Sequence, residues 1–159
     1  MTRTLYLAAA VSLVVATGAA AQQPMNYGTS ITLDSAKKAA APAVAEARKN
    51  QWTMVVAIVD TAGDLVYLER MDDAQVGSVD VAISKARSAA RFKRPTKAFQ
   101  DALAAGGEGL RILALQGAVP VDGGVPIAMG GRIVGAIGVS GGTSAQDGQV
   151  AAAGVAALK

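Results

Sequence analysis

The chain of 159 residues contains no cysteine and no histidine, and only 4% of its residues are aromatic. Without cysteine the protein has no disulfide framework, no thiolate nucleophile and no sulfur-rich zinc site. Without histidine it has no imidazole base, no Ser-His-Asp triad and no histidine-ligated metal or haem. Any catalysis must therefore use carboxylates, lysine, arginine, tyrosine, serine, threonine or backbone dipoles, and we expect no protein-held metal ion.

The first 21 residues have the pattern of a secretory signal peptide. Arg3 supplies a short basic start, an apolar run covers residues 5–15, and small residues end the segment at Ala21. A membrane anchor is the competing interpretation, but the run falls short of the roughly 20 residues that a spanning helix needs. We therefore expect an exported, periplasmic protein with one mature domain over residues 22–159 and no membrane attachment after cleavage.

Charge is modest and locally concentrated. The formal net charge is +3, which does not require a polyanionic partner. A basic segment runs from Lys85 to Lys97 and includes Arg87, Arg91 and Lys93. No nucleic-acid motif accompanies it, so we expect a solvated face or a small-anion site and no nucleic-acid partner.

Hydrophobic periodicity predicts the order α-β-β-α-α-β-β-β-α. Adjacent strands favour an α+β fold in which helices cover one antiparallel sheet, within a single domain. Pro42 should kink or split the first helix, and residues 110–121 are open between a strand and a helical turn. The helices are faced with alanine, so their backbones must pack closely, and we expect some of that packing to lie between subunits.

Lys85 lies near the apolar stripe of the second long helix, where a lysine needs a partner or a path to solvent. In the sequence SGGTSAQD over residues 140–147, a strand ends, two glycines turn the chain and a capped helix begins. Such a junction can hold a carboxylate or phosphate, or can be an ordinary cap. Asp147 then complements the helix dipole or reaches a cation or a neighbouring subunit.

A third feature is the double glycine Gly123–Gly124, which lies between Pro120 and Pro126. Prolines fix φ and glycines allow unusual backbone angles, so this stretch should form a rigid, irregular loop. Such a loop either borders a ligand or is a sheet-edge turn.

Four segments in order resemble the GlcG/HbpS family of haem-binding or haem-degrading-related domains, which is also similar to the C-terminal domain of some corrinoid adenosyltransferases. The segments are VDTAGDLVYLERMD (59–72), SKARSAARFKRPTKAF (84–99), VPVDGGVPI (119–127) and GAIGVSGGTSAQD (135–147). The resemblance covers residues 31–158 and implies a homo-oligomeric sandwich around an antiparallel sheet. It implies ligand-binding roles for Arg70, Met71, Lys85, Thr96, Gly123, Gly124, Pro126, Gly141, Gly142 and Thr143.

Three hypotheses for function follow. The first is an exported binding protein for haem or a similar carboxylate-bearing ligand, with propionates paired to Lys85 or to the basic residues around Arg91 and Lys93. The iron would then use Met, Tyr, Lys, Thr or a carboxylate, or would have no protein axial ligand.

The second hypothesis is a lyase, isomerase or hydrolase that acts on a small organic acid. Lys85 would be the base or Schiff-base former, Asp147 would orient it, and the helix end at Thr143 would bind the carboxylate. The third hypothesis is a structural or regulatory subunit in which Lys85 and Asp147 form interface salt bridges.

Overall fold

The computed structural model describes residues 25–158, so the predicted signal peptide and its cleavage point lie outside the described residues. The α+β class, the antiparallel sheet and its helical cover are confirmed. The elements in chain order are α1 (Leu33–Lys49), β1 (Val55–Val59), β2 (Leu65–Arg70), α2 (Ser78–Phe92), α3 (Thr96–Ala104), a 3₁₀ helix (Gly107–Ala114), β3 (Gly124–Met129), β4 (Arg132–Ser140) and α4 (Ser144–Ala156).

One strand of the predicted order is absent from the described chain. Residues 107–114 form the 3₁₀ helix, and the rest of the segment to residue 121 is irregular, so the later part contributes two strands and not three. The 3₁₀ helix begins at Gly107, which has positive φ like Gly106 before it, and none of its residues is buried. It contacts α3 and adds no strand to the sheet.

The sheet has the strand order β2-β1-β4-β3, and all neighbouring strands are antiparallel. Val55 at the start of β1 pairs with Arg70 at the end of β2 and with Ser140 at the end of β4. Gly124 at the start of β3 pairs with Gly138. One end of the sheet therefore carries the end of β2, the end of β4 and the start of β3.

Helices cover both faces of this sheet. All five residues of β1 are buried, because Val55, Ala57 and Val59 pack with alanines of α2 while Val56 and Ile58 pack with α1 and α4. At Gly138 a Cβ would collide with the carbonyl of Ala82 in α2. A residue without a side chain is thus what allows α2 to lie directly on the sheet.

Helix α1 runs through Pro42 from Leu33 to Lys49, so of the two effects predicted for this proline, a kink or a split, the split was wrong. Thr32 caps the helix by accepting the N–H of Ser35, and six residues, five of them alanine, are buried. Packing of this alanine face against the sheet and α4 outweighs the cost of about 3 kcal/mol for an internal proline. Among residues 25–158, no helix is both long enough and apolar enough to cross a membrane.

Candidate functional site

Most of the predicted site residues meet at one end of the sheet. Arg70 ends β2 and Met71 follows it, Gly123 precedes β3 and Gly124 begins it, and Gly141–Thr143 follow β4. Lys85 reaches this end from α2 and Asp147 reaches it from α4. The predicted site residues at this end form two layers, a buried layer and an accessible layer that faces solvent.

Lys85 and Asp147 form the centre of the buried layer. The Lys85 Nζ lies 2.7 Å from Asp147 Oδ2 and donates a second hydrogen bond, of 3.0 Å, to the carbonyl of Val139. The two side chains are only 1% and 4% exposed. Because α2 and α4 cover opposite faces of the sheet, this ion pair connects the two helical layers, and it forms within one chain.

The second carboxylate oxygen of Asp147 connects the ion pair to the turn after β4. The N–H of Gly142 donates to Asp147 Oδ1 over 3.0 Å. Burial raises the pKa of Asp147, the hydrogen bonds from Lys85 and Gly142 offset part of that rise, and the charge of Asp122 adds to it. The carboxylate is therefore an acceptor on both sides, with the Lys85 ammonium as its counter-ion.

The loop that enters β3 covers the ion pair. Gly123 has φ +117°, and a Cβ there would lie 2.7 Å from the carbonyl oxygen of Val139 and 3.0 Å from Lys85 Nζ. Thr96 fixes the next residue, because its hydroxyl accepts the N–H of Gly124 at 2.9 Å and donates to the Gly124 carbonyl at 3.5 Å. Pro126 is also buried. In this conformation the Lys85 amine does not contact solvent.

The turn at the start of α4 uses its own N–H groups. Thr143 accepts the N–H of Gln146, and the Gln146 side chain accepts the N–H of Thr143, which together make a capping box. The N–H of Gly142 is bonded to Asp147. The sequence predicted that N–H groups of this turn could bind a ligand carboxylate. All three N–H groups named here are hydrogen-bonded within the chain, although Gly142 and Thr143 are exposed.

The accessible layer is a cavity of about 380 Å³ lined by Arg70, Met71, Asp72 and Asp73. One guanidinium nitrogen of Arg70 donates to the carbonyl of Ala74 at 3.0 Å, which orients the side chain. Met71 is half-buried at the base of the strand end. Among the residues given ligand-binding roles, Arg70 and Met71 are those that line this cavity.

Three aspartates that the sequence analysis did not place among the site residues lie beside them. Asp122 raises the pKa of Asp147 and lies against Gly148 in the first turns of α4. Asp72 and Asp73 follow directly after Arg70–Met71 and complete the cavity wall. Their positions in the sequence could have indicated them, because Asp122 directly precedes the double glycine and the Asp pair directly follows two predicted site residues.

The basic segment does not converge on Lys85. Arg87 and Arg91 contact the turn between β1 and β2, at the other end of the sheet, and Lys97 pairs with Asp101 on α3. The Lys93 Nζ lies 4.3 Å from the ring centre of Tyr27. The propionate partners proposed from the sequence are therefore distributed over both ends of the sheet.

A family model and a curated relative both match most of the chain. A family model described as "Haem degrading protein HbpS-like" matches residues 31–156. An uncharacterized 15.0 kDa protein of Citrobacter freundii, encoded between dhaT and dhaS, is 39% identical over 119 residues, which are 74% of this chain and 84% of that protein.

Solved structures agree with this assignment. A double mutant of HbpS from Streptomyces reticuli is similar with a TM-score of 0.75 and 34% identity, over 95% of this chain and 99% of that one. The crystal structure of a PduOC:haem complex is similar with a TM-score of 0.73 and 30% identity, over 82% of this chain and 96% of that one.

Proposed function

The chain belongs to the HbpS-like family, and from this premise we propose that it is an exported binding protein for haem or a related carboxylate-bearing ligand. The observation that carries the proposal is the haem complex of PduOC, whose chain is matched over 96% of its length. We place the ligand at the cavity beside Arg70 and Met71, because these two predicted site residues are accessible there.

Arg70 is the cavity residue that suits the polar end of haem, whereas the Asp72 and Asp73 carboxylates on the same wall oppose a propionate. Arg70 has guanidinium N–H groups beyond the one bonded to Ala74, and a guanidinium can pair with a propionate through two parallel hydrogen bonds. The Met71 thioether is a known class of haem ligand. When bound, haem would supply the iron chemistry, while Arg70 would bind and orient its carboxylates.

The cavity does not enclose a whole macrocycle. Its volume of about 380 Å³ lies at the lower end of the usual range for ligand sites. The porphyrin would extend beyond the cavity, and Val76, three residues after Asp73 in the chain, is 78% exposed. A carboxylate-bearing molecule smaller than haem could bind the same groups. For this reason the proposal includes such a ligand as well as haem.

Export and self-association are part of the same proposal. The signal-peptide pattern of residues 1–21 supports export. The 3₁₀ helix exposes Leu110 and Leu113, of which Leu113 is 70% exposed, and such apolar surface suits contact with another subunit. Determination of the N-terminal residue of the secreted protein and of its mass by analytical ultracentrifugation tests both points.

The deciding experiment is a hemin titration of residues 22–159 followed at the Soret band. We expect saturable binding that weakens in Met71→Leu and Arg70→Gln. The matched controls are Met129→Leu, which changes an exposed methionine of β3, and Arg48→Gln, which changes an exposed arginine of α1. A Soret difference spectrum that stays flat at micromolar hemin would overturn the proposal.

A second candidate function is catalysis on a small organic acid. The observation that favours it is the buried contact of 2.7 Å between Lys85 and Asp147. If the Gly123–Gly124 loop opens, Asp147 could accept the ammonium proton, and the free amine could form an imine with a 2-oxo acid and release water. Incubation with pyruvate and cyanoborohydride, followed by mass spectrometry, tests this: an adduct absent from Lys85→Met supports it, and an unmodified wild-type protein refutes it.

A further inference from the structure

Two arginines of α2 are held in a fixed orientation beside the turn that joins β1 and β2. Arg87 Nε donates to the carbonyl of Gly63 at 3.0 Å, and Arg91 Nε donates to the carbonyl of Ala62 at 2.8 Å. The two side chains lie one helical turn apart, at positions i and i+4, and therefore on the same face. Bonds to consecutive carbonyls thus hold the two guanidinium groups side by side.

The turn that anchors them is itself constrained. Asp60 Oδ1 accepts the backbone N–H groups of Ala62, Gly63 and Asp64, each at 2.9 Å. These bonds hold the turn in one conformation, so the carbonyls that receive the arginines are fixed in position. Because Asp60 Oδ1 accepts these three bonds, this oxygen does not pair with Arg87 or Arg91.

The charges of the two arginines are not neutralised by a salt bridge. Within residues 25–158, no carboxylate lies within 4.0 Å of a nitrogen of Arg87 or Arg91, whereas Arg111 pairs with Glu108 at 3.1 Å. Both side chains are exposed. Like charges at i and i+4 repel each other, so an anion placed between them would relieve the repulsion.

We propose that Arg87 and Arg91 form a binding site for a small multivalent oxyanion, such as phosphate or a dicarboxylate. Each Nε is already bonded, so the terminal N–H groups remain available for paired hydrogen bonds to oxygen. Lys93, which follows α2 directly, adds a third positive charge near the same helix end. The site lies at the opposite end of the sheet from the cavity beside Arg70, so it does not depend on haem binding.

The test follows the Nε–H signals of the arginines by ¹H–¹⁵N NMR while inorganic phosphate replaces chloride at constant ionic strength. We expect saturable shifts at Arg87 and Arg91 and small, unsaturated shifts at Arg48 and Arg111, which pair with carboxylates. A parallel titration with succinate distinguishes a preference for phosphate from a preference for dicarboxylates. Binding of either anion supports the site.

The variants Arg87→Lys and Arg91→Lys keep the charge and remove the forked donor. Each should weaken the association with phosphate by about tenfold or more, while Arg48→Lys should leave it unchanged. Circular dichroism establishes that each variant is folded, and either of the two is sufficient if the other unfolds. The proposal fails if all arginines shift alike without saturation, or if a folded lysine variant binds as the wild type does. Failure of the hemin titration leaves this result untouched, because the two readouts report on opposite ends of the sheet.

Discussion

Replacement of Lys85 by methionine is the most informative change in this fold. Methionine has nearly the same length as the apolar part of lysine, so the packing of α2 against β4 is conserved while the ammonium is lost. The carboxylate of Asp147 then stays buried with the N–H of Gly142 as its remaining strong partner. The carbonyl of Val139 also loses a donor.

The size of the effect follows from this burial. Removal of one partner of a buried ion pair costs about 3 to 5 kcal/mol, because the other charge is left uncompensated. In a domain of this size each kcal/mol lowers Tm by roughly 3 °C. We therefore expect Lys85→Met to unfold about 10 °C below the wild type at pH 8.

The loss should depend on pH, and its sign follows from the pKa of Asp147. Burial already raises this pKa in the wild type, and loss of the Lys85 hydrogen bond raises it further in the variant. An acid whose folded pKa is raised favours folding below its unfolded pKa, about 3.9, and that contribution is lost as pH rises through the folded pKa. The penalty of Lys85→Met should therefore shrink when the pH falls from 8 towards 5.

Urea unfolding of the wild type, Lys85→Met, Asp147→Asn and the double variant at pH 5 and pH 8 measures these quantities. The double variant should be more stable than the sum of the single changes predicts, because the asparagine amide keeps an oxygen for the N–H of Gly142 and leaves no buried charge. A loss below about 1 kcal/mol at pH 8 would refute the assignment of a buried, ionised pair. An equal loss at both pH values would show that the pKa of Asp147 in the variant lies outside this interval.

Three smaller changes test other parts of the argument. Gly138→Ala should lower stability by several kcal/mol in urea, because its Cβ collides with the Ala82 carbonyl, while Gly77→Ala, with open space around it, should cost little; equal effects would contradict the close approach of α2. Thr143→Ala should cost about 1 kcal/mol by loss of the capping box, measured in the same way. Arg70→Gln should weaken hemin binding with only a small change of Tm, since Arg70 is exposed and loses one hydrogen bond, to Ala74; a large loss of Tm would assign it a structural role.

Much of the fold could be predicted because its apolar patterns are local. The buried run of β1, the hairpin with β2 and the alanine face of α1 each identify an element without tertiary information. The segment over residues 110–121 could not be assigned, because a short apolar run between glycines suits a strand and a helical turn equally. The split predicted at Pro42 was wrong for another reason: the local cost of the proline is real, but burial of the α1 face keeps the helix continuous.

The sequence grouped the candidate residues but did not show which of them are buried. The apolar surroundings of Lys85 and the place of Asp147 in the first turn of α4 brought the two into one hypothesis, and they lie in contact. What spacing does not reveal is exposure, which separates Lys85, Thr96 and Pro126 in the interior from Arg70 and Met71 at the cavity. The sequence also could not show whether the backbone N–H groups around Thr143 are free to bind a ligand. Gln146 and Asp147, which accept these N–H groups, are residue types that also occur at the start of an anion-binding helix.

Gly138, Gly142 and the buried Lys85 depend on one another structurally. Gly138 lets α2 lie against the sheet, and at that distance Lys85 reaches both Val139 and Asp147. Asp147 in turn holds Gly142 in the turn after β4, which lies at the same end of the sheet as Arg70. It follows that substitutions of Gly138 or Lys85 should alter hemin binding only through the conformation of this sheet end. In such variants loss of affinity should therefore track loss of stability, whereas for Arg70 the two should separate.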